Sequence, residues 1–178
     1  MKRLILPALI PIIMAVFFAS CTKEPEKTTY VEGYKPVYIS KVKAYEVKAE
    51  SPTTFSQPGK MFLYQNFIYV TDLGNGVHII DNSNPANPKK VAFIAIPGVV
   101  DAAVKNGVLF ADNFTDLVAF DVSDVTNIQY KNRVKDIYPL ENQMYPNFAT
   151  GYFECADTTK GYVLRWEKTM LTSPKCFR

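Results

Sequence analysis

The chain has 178 residues, 48% of them hydrophobic and 13% aromatic, enough for one packed domain and unlike a disordered chain. The aromatic share leans towards β-structure, where Tyr and Phe fit a half-buried pleated surface. A formal charge of +3, or +1 without Lys2 and Arg3, supplies no basic field for nucleic acid.

Met1–Ser20 reads as a targeting segment, outside the fold. Lys2 and Arg3 make a positive start, and Leu4–Ala19 is apolar throughout, broken by Pro7 and Pro11. A spanning helix needs about 20 apolar residues, so this run is short for one. It ends in Phe18-Ala19-Ser20-Cys21. Two small residues directly before a cysteine resemble the lipobox of bacterial lipoproteins, with Phe18 where that family more often has Leu, Val or Ile. The resemblance implies an acylated Cys21, cleavage before it and acylation of the new N-terminus. Several acyl chains anchor stably where one holds marginally. An ordinary signal peptide with an incidental Cys21 is the rival reading. Residues 21–35, mostly polar, are expected as a flexible tether. Thr22 follows the cysteine, where an Asp would retain many lipoproteins in the inner membrane. Lys23-Glu24-Pro25-Glu26 resembles the surface-export signal of Bacteroidota lipoproteins, interrupted by Pro25. The expected location is therefore the outer membrane, on its surface or facing the periplasm.

Residues 36–57 read as a transition or cap. Pro36–Ile39 fits a short strand, and Lys41–Val47 fits a strand or a helical turn.

Residues 58–137 read as one forty-residue unit written twice. Asn66 recurs as Asn106, Asp72 as Asp112, Asp81 as Asp121, Ser83 as Ser123 and Asn87 as Asn127, all without a gap. A fixed period of this size marks a repeat architecture. The first copy predicts strands over Lys60–Tyr64, Phe67–Thr71, Val77–Asp81 and Lys89–Ile96. The second predicts them over Val99–Val104, Val108–Ala111, Leu117–Val122 and Gln129–Val134, with the hairpin signal Asn106-Gly107. Four short antiparallel strands per forty residues match the grammar of a propeller blade. Asp116–Asp124 and Asp81–Pro88 resemble the signature of the LVIVD-repeat β-propeller proteins, in which an aliphatic strand runs into Asp-(Val/Ile)-Ser-(Asp/Asn)-Pro. The second copy has Val125 and Ile128 where the first has Pro85 and Pro88. With the lipobox, this resemblance implies a Bacteroidota-type repeat lipoprotein.

Residues 138–178 are less regular. Tyr152–Cys155 and Tyr162–Glu167 predict two strands, of a degenerate third blade or a cap. Cys155 and Cys176 are expected as a disulfide, because a lipoprotein domain lies in an oxidising compartment. Two free thiols or a metal pair are the rivals, and with His78 the only histidine a soft-ligand metal site is disfavoured.

The remaining signals favour structure over chemistry. His78 sits in a strand, answered by Val118, without a nucleophile in a motif, and reads as structural. Asp72, Asp81, Asp112, Asp121 and Asp124 lie at loop edges and read as turn-builders before calcium ligands. Gly74-Asn75-Gly76 is too short to cradle a phosphate. Asp157-Thr158-Thr159 resembles an O-glycosylation motif of Bacteroidota, with a plain polar loop as the rival. Tyr30, Tyr34, Tyr38, Tyr64, Tyr69, Tyr145 and Tyr152 fit either a glycan-stacking surface or ordinary strands. A hydrolase needs two carboxylates converging on one cleft. Glu154, Glu167, Asp101 and Asp136 are candidates, with nothing marking a pair. The expectation is an all-β, lipid-anchored envelope protein of propeller-like antiparallel repeats that binds or scaffolds a protein or glycan without catalysis. Its membrane contact would run through Cys21, and no cofactor, metal or nucleic acid is expected. A glycan-binding module or an envelope hydrolase is the alternative. Specific function would lie where the copies differ, in Leu73–Gly76, in Asn113–Thr115 or in the flanks.

Overall fold

A computed structural model describes residues 28–146 and 148–178. The targeting segment Met1–Ser20 and the expected lipidation site Cys21 lie outside the described residues. The described chain is all-β, built from three sheets.

The first repeat contributes β3 (Pro58–Tyr64), β4 (Phe67–Asp72), β5 (Gly76–Asp81) and β6 (Lys89–Ala95). Each pairs antiparallel with the next, and β2 (Lys48–Glu50) adds to β6, giving the order β2-β6-β5-β4-β3. The second contributes β7 (Ala102–Lys105), β8 (Val108–Asn113), β9 (Asp116–Asp121) and β10 (Gln129–Val134), in the order β10-β9-β8-β7. All eight expected strands form. β7 begins later than the apolar run at Val99, because the Val100 and Asp101 N–H groups are taken by the Asp112 carboxylate.

Alternation decides which faces meet. Tyr69, Val77, Ile79, Ala92 and Ile94 of the first sheet share one core with Leu109, Ala111, Val118 and Phe120 of the second. Each large apolar side chain sealed there contributes about 1.5–3 kcal/mol. The loops between third and fourth strands follow the turn chemistry of the sequence. The Ser83 N–H donates to Asp81 Oδ1 at 2.8 Å and the Ser123 N–H to Asp121 Oδ1 at 3.1 Å. The Ala86 N–H likewise reaches Asn84 Oδ1 at 3.2 Å, and the Thr126 N–H reaches Asp124 Oδ1 at 2.9 Å. A short polar side chain bonding its own backbone two residues on fixes such turns.

The gapless offset of forty needs one correction. Strand pairing opposes Asp72 to Gly76, and Asn113 to Asp116. Phe67 stands opposite Asp81, and Val108 opposite Asp121. The offset is therefore forty-one through the first hairpin and forty from β5 and β9 onward. The loop Leu73-Gly74-Asn75 has shrunk to Phe114-Thr115. Asn113, not Asp112, is the positional partner of Asp72, and the turn pair Gln65-Asn66 answers Asn106-Gly107. Both Asn106 (φ 51) and Gly107 (φ 74) are left-handed, as a two-residue hairpin of the mirror-image type requires.

The flanks depart furthest from expectation. The tether expected over 21–35 is a strand from Tyr30 onward, since β1 spans Tyr30–Ile39. It pairs antiparallel with β12 (Tyr162–Thr172) from Tyr30↔Thr172 to Ile39↔Tyr162. Pro36 is tolerated because β11 (Tyr152–Phe153) covers the other edge of β1 only at Gly33 and Tyr34. With β13 (Cys176–Phe177) the order is β12-β1-β11-β13, and β1 and β11 run parallel. This sheet is drawn from the segments on either side of the two repeats and is called the cap. β12 crosses the β4–β5 and β8–β9 hairpin tips. The Tyr162 ring stacks on Phe114 at 4.7 Å, and the Leu164 carbonyl lies beside Gly74. Between β1 and β2, Lys41–Val47 holds the helical turn α1 (Lys41–Tyr45), whose N-cap Ser40 accepts from the Lys43 N–H at 3.3 Å.

Candidate functional site

The hairpin tips under the cap carry the polar groups in which the two repeats differ. In the first repeat, Asp72 is sealed from solvent and accepts the Ser56 and Gln57 N–H groups at 2.8 and 2.5 Å. Its Oδ2 lies 3.3 Å from His78 Nε2. Burial pushes the carboxyl up, but the Gln57 and Ser56 N–H groups, with His78 and Asn75, outweigh it and hold the group below the usual carboxylate range. Phe55 and Phe93 close over the two sides of the His78 ring at 4.1 and 4.6 Å. His78 is fully buried, and its Nδ1 has no partner among the described residues. A ring enclosed in this way meets no substrate, which fits a structural His.

The second repeat replaces that set with an ion pair. Arg133 takes the place of Phe93, opposite Val118 where the first repeat has His78. Its guanidinium donates to Asp116 Oδ2 at 2.8 Å and also to Asn113 Oδ1. It lies over the Tyr45 ring at 4.4 Å. Asn113 Nδ2 donates to the Ala44 and Pro97 carbonyls at 3.0 and 2.6 Å, tying α1 to the hairpin. A hydrogen bond to Tyr162, then burial, pushes the Tyr45 hydroxyl up to about 12. Asp112, displaced to the other strand face, is pushed up by burial against the Asp101 and Val100 N–H groups.

Three clefts border this framework. One of about 460 Å³ runs beside Thr115, Asp136, Tyr138, Thr158 and Tyr162. A broad one of about 760 Å³ lies at the opposite end, against the Asp81 turn, Glu50 and Asn127. The third, about 530 Å³, lies between the first repeat and the cap, lined by Ser56–Gln57, Leu73–Asn75, Gly98–Val100, Gln143, Phe148 and Val163–Trp166. Its floor is a backbone lattice. The Gly74 N–H donates to the Val99 carbonyl at 2.8 Å, the Gly98 N–H to the Gly74 carbonyl and the Ile96 N–H to the Asn75 carbonyl, both at 2.9 Å. Its walls are apolar, with Trp166 set edge-on to Phe153 and Phe148 edge-on to Tyr34. Among the described residues no carboxylate lines it, and the cation there, Arg165, is met by Glu167 at 2.8 Å. Gln143 Oε1 is buried without a partner among the described residues.

The sequence candidates distribute unevenly over this geometry. Of the two divergent loops, Leu73–Asn75 lines the 530 Å³ cleft and Thr115 the 460 Å³ one. Of Glu154, Glu167, Asp101 and Asp136, Asp136 lines the 460 Å³ cleft, Asp101 pairs with Lys60, and Glu167 pairs with Arg165 and Lys35. Among the described residues no three His, Cys, Asp or Glu side chains gather closely enough for a metal ion. The seven tyrosines are differently engaged, with Tyr30, Tyr34 and Tyr38 spaced along β1. Tyr69 is core, with burial first and Tyr64 second raising its hydroxyl to about 12. Tyr64 and Tyr38 accept the Gly107 and Asp157 N–H groups. Asp157 caps the short turn Thr158–Lys160. Cys155 and Cys176 stand at disulfide distance, sulfurs 1.99 Å apart, fastening β13 to the chain beyond β11. Trp166, Phe148 and Gln143 carried no sequence motif. The solitary Trp was the one available signal, because a buried indole needs a partner or a purpose. Neither a curated protein nor a solved structure matches the chain, whereas the family model of the LVIVD repeat matches residues 60–93, so an LVIVD repeat is found from β3 into β6.

Proposed function

We propose that the chain is a lipid-anchored outer-membrane protein of the Bacteroidota repeat-lipoprotein type. Its two repeats act as propeller-type blades in a domain that binds or scaffolds and does no catalysis. Support for the blades comes from the sequential antiparallel order β10-β9-β8-β7 and the shared core between the two sheets. The observation that carries the binding role is the 530 Å³ cleft. It is built from the loop in which the repeats diverge and from the cap, has a hydrogen-bonded floor, and among the described residues is lined by no acid–base pair. Support for the anchor is the Ala19-Ser20-Cys21 sequence after an apolar run. The test is the intact mass of the chain extracted from membranes, with protease shaving of whole cells for its side. A mass starting at Cys21 with added acyl groups is expected; an unmodified chain recovered freely soluble overturns the anchor.

A further inference from the structure

Granting the binding role proposed above, we infer that the 530 Å³ cleft takes a neutral, hydroxyl-rich ligand, an uncharged oligosaccharide. Three observations converge. First, the described residues offer an ionic ligand no dedicated partner. Among them no carboxylate lines the cleft, and Arg165 is already paired with Glu167. A phosphate or an acidic sugar would have to compete with Glu167 for that cation.

Second, the residues that line the cleft include the amide-bearing Gln57, Asn75 and Gln143, of which Asn75 donates to Asp72 and the Leu73 carbonyl and keeps its own side-chain oxygen as an acceptor. An amide offers both donors and acceptors, the combination that hydroxyl groups satisfy. Gln143 Oε1 is buried and unpaired among the described residues. An acceptor left without a partner is destabilising, and a turn of the Gln143 side chain towards the cleft would let a ligand hydroxyl donate to it. Third, the aromatic side chains of Trp166 and Phe148 line the same cleft. A sugar ring is polar at its rim and carries C–H groups on its faces, so amides at the rim and aromatic faces against the C–H groups match it. The backbone bonds that tie Gly74 to Gly98 and Val99 hold the floor in place before binding, which reduces the ordering cost.

The test uses the only Trp of the chain as its reporter. The full chain, purified from cells without any glycoside detergent, is titrated with neutral hexasaccharides of glucose, mannose, xylose and N-acetylglucosamine while Trp emission is followed. A saturable change with at least one of them is expected, confirmed by calorimetry. Asn75→Ala and Gln143→Ala should each weaken that binding about tenfold, the equivalent of one lost hydrogen bond with its partner stranded, with the β-rich fold retained in circular dichroism. Uncharged extended peptides are the comparison arm. If peptides change the emission and no saccharide does, the ligand class is overturned while the binding role stands. If neither does, the site is overturned. Release of new reducing ends from a bound saccharide would instead overturn the non-catalytic reading.

Discussion

Arg133 Nη1 stands 2.8 Å from Asp116 Oδ2, with 9% of the arginine side chain and 2% of the aspartate side chain exposed. The same guanidinium bonds Asn113 and covers Tyr45, so one side chain joins β10, the β8–β9 hairpin and α1. Removing one partner of a buried pair strands the other charge, at a cost of about 3–5 kcal/mol. Arg133→Ala should lose that much in denaturant unfolding, and the Arg133→Ala, Asp116→Ala pair should lose less than the sum of the single changes. A loss below about 1 kcal/mol for Arg133→Ala would mean that the pair behaves as a solvated one.

Asp72 and Asp112 should give stability opposite dependences on pH. The folded value of Asp72 lies below the ordinary carboxylate range. Its contribution is therefore full above the unfolded value of about 3.9 and is lost as the pH falls through the folded value. Asp112 is raised, by burial first, so its folded form binds protons more readily than the unfolded chain. Its penalty is full at neutral pH and is relieved as the pH falls. Unfolding free energies of wild type, Asp72→Asn and Asp112→Asn from pH 7 to 3 check this. The advantage of wild type over Asp72→Asn should shrink on acidification, and that over Asp112→Asn should grow. Parallel slopes would refute the assignment.

The repeat body was legible because its signals are local. Alternating apolar runs and Asp-x-Ser turns place β3–β10 without tertiary information. The offset error at Asp72 arose because one residue gained before β8 and one lost after it cancel in the sequence. The strand between them is still shifted by one, which exchanges Asp112 for Asn113 on the buried face. The cap was hidden for a different reason. β1 carries Gly33 and Pro36, and it is held as a ten-residue strand by pairing with β12 more than a hundred residues away. The sequence marks only Pro36–Ile39 and Tyr162–Glu167 as strands, and nothing in either segment alone names the other as its partner. The cleft inherits the difficulty, since Trp166 and Gln143 meet Leu73–Asn75 only when the cap closes over the first repeat.

Gly98 should be intolerant of a side chain. Its φ is +76, which L-residues rarely adopt, and a Cβ there would run into the Phe114 ring. That ring is itself stacked on Tyr162 of the cap. Strain of about 1–3 kcal/mol is expected from the backbone alone. Gly98→Ala should therefore lower the melting temperature and loosen β12. The second effect is read by faster hydrogen exchange at Tyr162–Trp166. Gly151→Ala is the control, since its φ is also positive but nothing lies within 4 Å of a Cβ there. An equal effect at both positions would leave the Phe114 contact without a role.

The Cys155–Cys176 bond should stabilise the cap and leave the repeats alone. It closes a sequence separation of 21 residues, worth about 3 kcal/mol if it acts mainly by restricting the unfolded chain. The elements it holds are slight. β11 and β13 pair at two positions, supported by the bonds between Gly151 and Arg178. The repeat core contains no residue of β11 or β13. Reduction, or Cys155→Ser with Cys176→Ser, should therefore raise amide exchange first at Gly151–Phe153 and Cys176–Arg178. Exchange at Val77–Ile79 and Val118–Phe120 should remain slow. Loss of protection in both regions together would show that cap and repeats unfold as one cooperative unit.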